Sequence, residues 1–320
     1  MVTLDDIRAA RNTIRGVAVH TPLVLFPGRP ENGPQVYFKA ENLQPIGAFK
    51  IRGAYNKIAS LSDAERARGV ITYSSGNHAR AVAYAACKFG ARAVIVMPRN
   101  TPPVKREATA ALGAEIVLVG PASSERQQKA EALVAEHGYV MVEPYNDEKI
   151  VAGQGTCGLE ILEDLPDVDL VLSPVSGGGL LSGAATAIKL SNPRVKVIGV
   201  EPELAGDAQE SFRTGKVVEW PAEKTTRTIC DGLRTQSVGE IPFAHIQKYV
   251  DDIITVSEDQ IRTAMRRLAL EAHLVAEPSG AASFAGYLFH REQLPAAKRV
   301  VVVISGGNVE GSLLAEVAAS

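Results

Sequence analysis

The chain has 320 residues, with 34 Lys+Arg against 36 Asp+Glu, a formal net charge of −2 and 46% hydrophobic residues. At roughly 150 residues per domain this length suggests about two domains, and balanced charge with only 5% aromatics offers no electrostatic pull toward nucleic acid or an anionic membrane. No apolar run reaches the roughly 18 residues of a membrane span, the start MVTLDDIRAARN has no apolar signal region, and Cys87, Cys157 and Cys230 form neither a disulfide framework nor a zinc spacing, which fits a reducing cytoplasm.

In chain order, a strand is predicted over 36–40. A helix rich in small residues then begins near Lys50, within Pro45-Ile46-Gly47-Ala48-Phe49-Lys50-Ile51-Arg52-Gly53-Ala54. An isolated lysine is ordinarily a solvated charge. One flanked by Gly-Ala-Phe and Ile, with little other polarity nearby, is a candidate for a desolvated amine of lowered pKa, the state a Schiff-base lysine needs. Strands over 70–73, 93–97 and 115–119 alternate with helices over 76–89, 102–112 and 123–137, which end at Gly90, Gly113 and Gly138. Three such units in succession predict a small parallel sheet with right-handed crossovers. Further strands are predicted over 139–142, 170–174, 195–200 and 299–304. Their continuous apolar runs imply that both sheet faces are covered. The chain is an α/β protein of two domains, and ligands in such sheets lie beyond the carboxyl ends of strands.

Three strand ends carry polar clusters. Ser74-Ser75-Gly76-Asn77-His78 precedes a helix whose unpaired N–H groups suit a carboxylate; simple capping by Ser and Asn is the competing explanation. In Val175-Ser176-Gly177-Gly178-Gly179-Leu180, consecutive glycines let backbone amides curl around a phosphate, or merely make a tight turn. Ser305-Gly306-Gly307-Asn308 places a hydroxyl where it can aim one hydrogen bond at a flat ligand, although a plain turn serves equally. Gly153-Gln154-Gly155-Thr156-Cys157-Gly158 matches a dinucleotide fingerprint but does not directly follow a strand, so close helix packing explains its glycines better.

Taken together, G-A-F-K-I-R-G-A, S-S-G-N-H, A-G-Q-G-T, S-G-G-G-L and S-G-G-N, in that order, resemble the fold type II pyridoxal-phosphate (PLP) enzymes, specifically the threonine/serine dehydratase and serine racemase branch. The resemblance spans essentially the whole chain. It implies a two-domain, tryptophan synthase β-like fold of parallel sheets flanked by helices, with a large PLP-binding domain of 1–68 plus 147–320 and a small mobile domain of 69–146. Lys50 would form the Schiff base, Phe49 would flank the cofactor and Asn77 would bond its ring hydroxyl oxygen. Ser176, Gly177, Gly178, Gly179 and Leu180 would hold the phosphate; the family's usual run has four glycines, and Ser176 takes the first place here. Ser305 would face the pyridine nitrogen without enforcing its protonation, which suits β-elimination. Ser74, Ser75, Gly76, Asn77 and His78 would bind the substrate carboxylate, and Ser75 would serve as acid/base on the opposite face.

Arg126 stands where serine racemases place a substrate-side arginine; a solvated helix position is the alternative. Glu201, the Ala205 carbonyl and Asp207 match the branch's loop for a divalent cation (magnesium, manganese or calcium). The implied activity is loss of water and ammonia from L-threonine or L-serine to give a 2-oxo acid. The alternatives are a serine racemase with side dehydratase activity, or a 3-hydroxyaspartate dehydratase needing a second cation, for which Arg234 is the candidate. The implied partner is a small amino-acid substrate, with no nucleic acid and no membrane. A cytoplasmic homodimer is the expected state.

Overall fold

The computed structural model describes residues 1–28, 33–120 and 123–319. Ten strands occur in the order β1 (Leu23–Leu25), β2 (Gln35–Ala40), β3 (Val70–Tyr73), β4 (Ala93–Pro98), β5 (Glu115–Val119), β6 (Val140–Met141), β7 (Leu170–Pro174), β8 (Lys196–Pro202), β9 (Asp252–Val256) and β10 (Arg299–Ile304). They form a six-stranded sheet, β1-β2-β10-β7-β8-β9, and a four-stranded sheet, β5-β4-β3-β6. Every pairing is parallel except β1 against β2. The predicted α/β architecture and the small parallel sheet are therefore present. The buried runs of β4 and β7 explain why these strands read as unbroken apolar stretches.

Two strands escape the sequence pattern. β1 is three residues long and half-exposed at an antiparallel edge. β9 closes the other edge. The predicted strand over 139–142 shrinks to two residues, because only Val140 and Met141 pair with Val70 and Ile71 before the chain turns away. No helix among the described residues is long and apolar enough to cross a membrane.

The glycines of the 153–158 segment lie inside the helix Glu148–Asp164, as their packing role predicted. A Cβ on Gly153 would fall 2.6 Å from the Arg52 carbonyl, and one on Gly183 of the next helix would fall 2.3 Å from that of Val151. Three helices, Lys50–Ala59, Glu148–Asp164 and Gly179–Ser191, thereby approach at backbone distance. On the other face of the large sheet, Phe26, Phe38 and Phe284 meet edge-on or tilted with centroids 4.8–5.5 Å apart.

Beneath the helix Lys50–Ala59 lies a dry ionic cluster. Arg52 is fully buried. Its Nε and Nη2 donate to the two oxygens of Glu41 at 2.7 and 2.8 Å, while Nη1 and Nη2 donate to the two oxygens of Glu160 at 2.7 Å. Buried Lys39 donates to Glu160 at 2.7 Å and to the Thr21 carbonyl at 2.6 Å. Two cations thus meet two carboxylates with nearly every donor used, the condition under which a buried ion pair survives its desolvation cost. Removing one partner strands the rest. Arg52→Met is expected to lower unfolding free energy by about 3–5 kcal/mol, read as a fall in the urea midpoint.

The N-terminus is tied down through a buried histidine. His245 accepts from Val2 N–H at Nε2 (3.1 Å), and its Nδ1 lies 2.9 Å from the Thr186 hydroxyl. Burial, and then the nearby N-terminal amine, lower its pKa from 6.5 to about 4. The folded state therefore binds this proton later than the unfolded state, so the contribution is fully present above pH 6.5 and is lost as pH falls toward 4. Acid titration of stability should show a loss on the order of 2–3 kcal/mol over that window, and His245→Gln should remove that share of the slope.

Candidate active site

The helix Lys50–Ala59 starts where it does because the residues before it are strapped across the carboxyl end of β10. Phe49 N–H donates to the Ser305 carbonyl at 3.0 Å, Gly307 N–H donates to that of Gly47 at 2.9 Å, and Ala48 pairs with Gly306. Gly47 has φ +75°, and a side chain there would strike Asn308, so glycine is required. The strap sets Lys50 beside Ser305, 255 residues away in sequence (305 − 50). Lys50 Nζ donates to the Pro144 carbonyl at 2.6 Å, and desolvation lowers its pKa to about 8. Its cation lies 5.3 Å from the Phe49 ring centroid.

The residue after Pro144 links this amine to the glycine bend. A Cβ on Gly177 would lie 2.2 Å from the Tyr145 ring, and one on Gly239 2.9 Å from it. Gly178 has φ +91° and precedes the helix Gly179–Ser191, whose N-terminus has no side-chain cap. The first amides of that helix thus lack intrahelical partners, an arrangement that suits an anion. The outward groups of the bend are held elsewhere: Gly239 N–H donates to the Gly177 carbonyl at 3.1 Å, and the hydroxyls of Ser176 and Thr235 lie 2.6 Å apart. Leu180, the second residue of that helix, is buried. β7, which leads into this bend, neighbours β10, which leads into Ser305. The Ser305 hydroxyl is buried and reaches the Ser279 carbonyl only at 3.5 Å, too long for a strong bond.

The Ser74–His78 segment joins β3 to the helix Asn77–Lys88, and no side chain caps that helix. Capping therefore does not account for these residues. Ser74, Ser75 and Gly76 stay half-exposed, with Gly76 N–H donating to Ser74 Oγ at 3.3 Å. Asn77 turns its amide toward the large sheet: Nδ2 donates to Glu277 Oε1 at 2.6 Å and Oδ1 accepts from Asn308 Nδ2 at 2.7 Å. Burial, and next Asp231, raise Glu277 to about pKa 7. The His78 imidazole is buried with Nε2 2.9 Å from the Val142 carbonyl, and burial followed by the Lys50 charge lowers its pKa to about 3. It is neutral, and what His78 can offer a carboxylate is its helix-terminal N–H. Arg126 is half-buried on the helix Ser123–His137, and burial lowers its pKa. Arg234 donates Nε and Nη2 to the Thr228 carbonyl at 3.0 and 2.6 Å, so its guanidinium is held by its own loop.

Glu201 is the penultimate residue of β8 and Asp207 begins the helix Asp207–Thr214. Both are fully buried, as is Ala205. Glu201 accepts from the N–H groups of Ala208 and Gln209 at 3.2 and 3.0 Å. Neither Asp207 carboxylate oxygen has a hydrogen-bond partner. Burial, then Asp207, drives the Glu201 pKa up, and burial drives that of Asp207 up. Among the described residues no three His, Cys, Asp or Glu side chains converge as a metal cage; this loop supplies two carboxylates and a carbonyl.

Pro144, Tyr145, Thr235 and Glu277 were not singled out from sequence. Pro144 and Tyr145 could have been, since they follow the end of β6 at Met141 by three and four residues, and residues beyond strand ends are where α/β sites gather. Glu277 reaches the site from a helix cap with no local signal.

Comparison with known proteins places the chain in a family. A family model described as "Pyridoxal-phosphate dependent enzyme" matches residues 14–306. The L-threo-3-hydroxyaspartate ammonia-lyase of Saccharomyces cerevisiae is 43% identical, over 96% of this chain and 94% of its own. The L-threonine ammonia-lyase of Thermotoga maritima is 44% identical, over 98% and 77%. Among solved structures, maize serine racemase superposes with a TM-score of 0.92 at 36% identity, over 98% and 96% of the two chains. With the match spanning most of its length, the chain belongs to the pyridoxal-phosphate dependent enzyme family.

Proposed function

We propose that this enzyme removes water from a β-hydroxy amino acid, L-threonine or L-serine, and releases a 2-oxo acid and ammonia. The observation that carries the reading is the Lys50 amine, held at the Pro144 carbonyl at pKa about 8 between the Ser305 and glycine-bend ends of the large sheet. The site fits PLP: the bend must stay bare because Tyr145 occupies the space of any side chain on Gly177. Ser176 to Leu180 would hold its phosphate, Phe49 would flank its ring, Asn77 would bond its ring hydroxyl oxygen and Ser305 would face its nitrogen. When bound, PLP supplies an electron sink for the substrate's α-carbon.

The chain's own residues supply the rest. Ser74, Ser75 and Gly76, with the N–H groups of Asn77 and His78, would take the substrate carboxylate at the uncapped helix terminus. Lys50, once free, would remove the α-proton, because lowering its pKa from 10.5 to about 8 raises the share of neutral amine near pH 7 to roughly a tenth, far above that of an ordinary lysine. Neutral His78 nearby adds no charge that would lower the amine further. Ser75 would meet the opposite face, which supports side racemisation of serine, and Arg126 would stand on the substrate side. The reading includes the two-domain division at 1–68 plus 147–320 and 69–146, supported by the two separate sheets, and a cytoplasmic homodimer, for which the three free cysteines fit a reducing compartment. A 3-hydroxyaspartate substrate is favoured by the yeast relative; Arg234, with two of its five donors on the Thr228 carbonyl, is the candidate cation for its second carboxylate.

Glu201, Asp207 and the Ala205 carbonyl would hold a divalent cation. The orphaned, buried Asp207 carboxylate supports this, since an uncompensated buried charge is otherwise costly. The role is structural, away from the chemistry.

Two outcomes test these readings. Ammonia release should be fastest from L-threonine or L-serine in a panel that includes both 3-hydroxyaspartate diastereomers. Lys50→Ala should lower it by at least about a thousandfold, and borohydride should fix the cofactor to the Lys50 peptide, seen by mass spectrometry, only in the parent; full activity in Lys50→Ala would sink the assignment. Separately, a chelator should lower the melting temperature by several degrees, magnesium or calcium should restore it, and Asp207→Asn should abolish that response.

A further inference from the structure

Asn77 does not bind alone. Its amide belongs to a chain of four side chains that crosses from the small sheet's helix to the large sheet's loops. Arg80 Nη1 donates to Asn308 Oδ1, Asn308 Nδ2 donates to Asn77 Oδ1 at 2.7 Å, and Asn77 Nδ2 donates to Glu277 Oε1 at 2.6 Å. Asn308 Nδ2 also donates to the Ile46 carbonyl at 2.9 Å, just before the strap that carries Lys50. Glu277 is itself anchored, since its N–H donates to the Gly306 carbonyl at 3.1 Å.

The two ends of a carboxamide have almost the same shape, so only its partners decide which end faces where. Here the Arg80 end of the chain has one possible sense, and it fixes the rest. Arg80 is a donor with no acceptor, so Asn308 must show it Oδ1 and turn Nδ2 toward Asn77. Asn77 must then accept with Oδ1, which leaves Nδ2 for Glu277, and a carboxylate is an acceptor. Reversing any amide would set oxygen against oxygen or N–H against N–H at two contacts. One hydrogen of Asn77 Nδ2 remains after Glu277 is satisfied. Asn77 Nδ2 is also 3.1 Å from the position a Cβ on Gly306 would take, directly after Ser305.

We infer that Arg80, Asn308 and Glu277 are positioning residues that polarise Asn77, so that it presents an N–H donor, never its carbonyl, to the ring hydroxyl oxygen of the bound cofactor. This rests on the proposed contact between Asn77 and PLP. None of the three touches the substrate. Their effect is to keep a negative ring oxygen opposite a donor, and so to hold the cofactor's ionisation state and tilt.

The test uses purified holoenzyme and reads the visible absorbance band of the bound cofactor and its dissociation constant, with melting temperature as the check on folding. Asn77→Ala should shift the band and weaken cofactor retention about tenfold, the loss of one hydrogen bond to a charged acceptor. Glu277→Leu and Arg80→Met, at opposite ends of the chain, should each reproduce that shift. Glu277→Gln, which can still turn an oxygen to Asn77, should keep the parent spectrum. The double variant Asn77→Ala/Glu277→Leu should be no worse than Asn77→Ala, because the second change has nothing left to orient. A shift in Asn77→Ala with parent spectra in both Glu277→Leu and Arg80→Met overturns the inference and leaves the cofactor contact standing. A parent spectrum in Asn77→Ala itself overturns both. If Glu277→Leu fails to fold, Arg80→Met and Glu277→Gln still decide the matter, since Arg80 is only half-buried.

Discussion

Arg52 lies between Glu41 and Glu160 with no exposed surface, and its five-donor fork is met almost entirely by carboxylate oxygens. Because Glu41 follows β2 and Glu160 sits on the helix Glu148–Asp164, the guanidinium fixes the helix Lys50–Ala59 against two other elements at once. Lys50 is two residues from that fork. A desolvated amine is useful only if it is held where its partners are, and a charged side chain in a dry core permits very little slippage. The chemistry proposed for Lys50 therefore depends on an interaction that lies below the site.

The strap over β10 supplies the second constraint. Arg52 sets the rotation and depth of the helix, while the backbone bonds from Phe49 to Ser305 and from Gly307 to Gly47 set its start. Pro144 then offers its carbonyl to the amine, and Tyr145 fills the space above the glycine bend. The lysine, the phosphate-type bend and the strand-end serine are far apart in sequence. They meet because β10 and β7 are parallel neighbours in the centre of the six-stranded sheet.

What could be read from sequence was whatever has a local signature. Gly90, Gly113 and Gly138 all take positive φ at helix ends, the 70–138 stretch makes a parallel sheet, and the polar clusters follow β3, β7 and β10. Lys50 was recognisable from its apolar neighbours and from the five ordered motifs. Other features had no such signature. Arg52 looks like one more helix arginine, and only the fold shows Glu41 and Glu160 converging on it. Glu277 meets Asn77 across 200 positions. β1 is too short and too exposed for alternation to register. His78 keeps its helix-terminal N–H for the proposed carboxylate contact, while its ring turns inward to Val142, an orientation set by burial that no local signature announces.

The chain enters the four-stranded sheet at β3 and leaves it at β6, and these two strands lie side by side, with Val140 N–H bonded to the Gly69 carbonyl. Both crossings are thus no more than a short strand's length apart, and Pro144 and Tyr145 come only after the second. A homologous segment spliced between those two points would bring its own version of the Ser74–Asn77 turn and of Arg126. It would leave the lysine, its carbonyl acceptor and the glycine bend intact. Such an exchange would carry Asn77 and Arg80 with it, so only a segment that kept those two could change the turn while leaving their link to Asn308 and Glu277 in place.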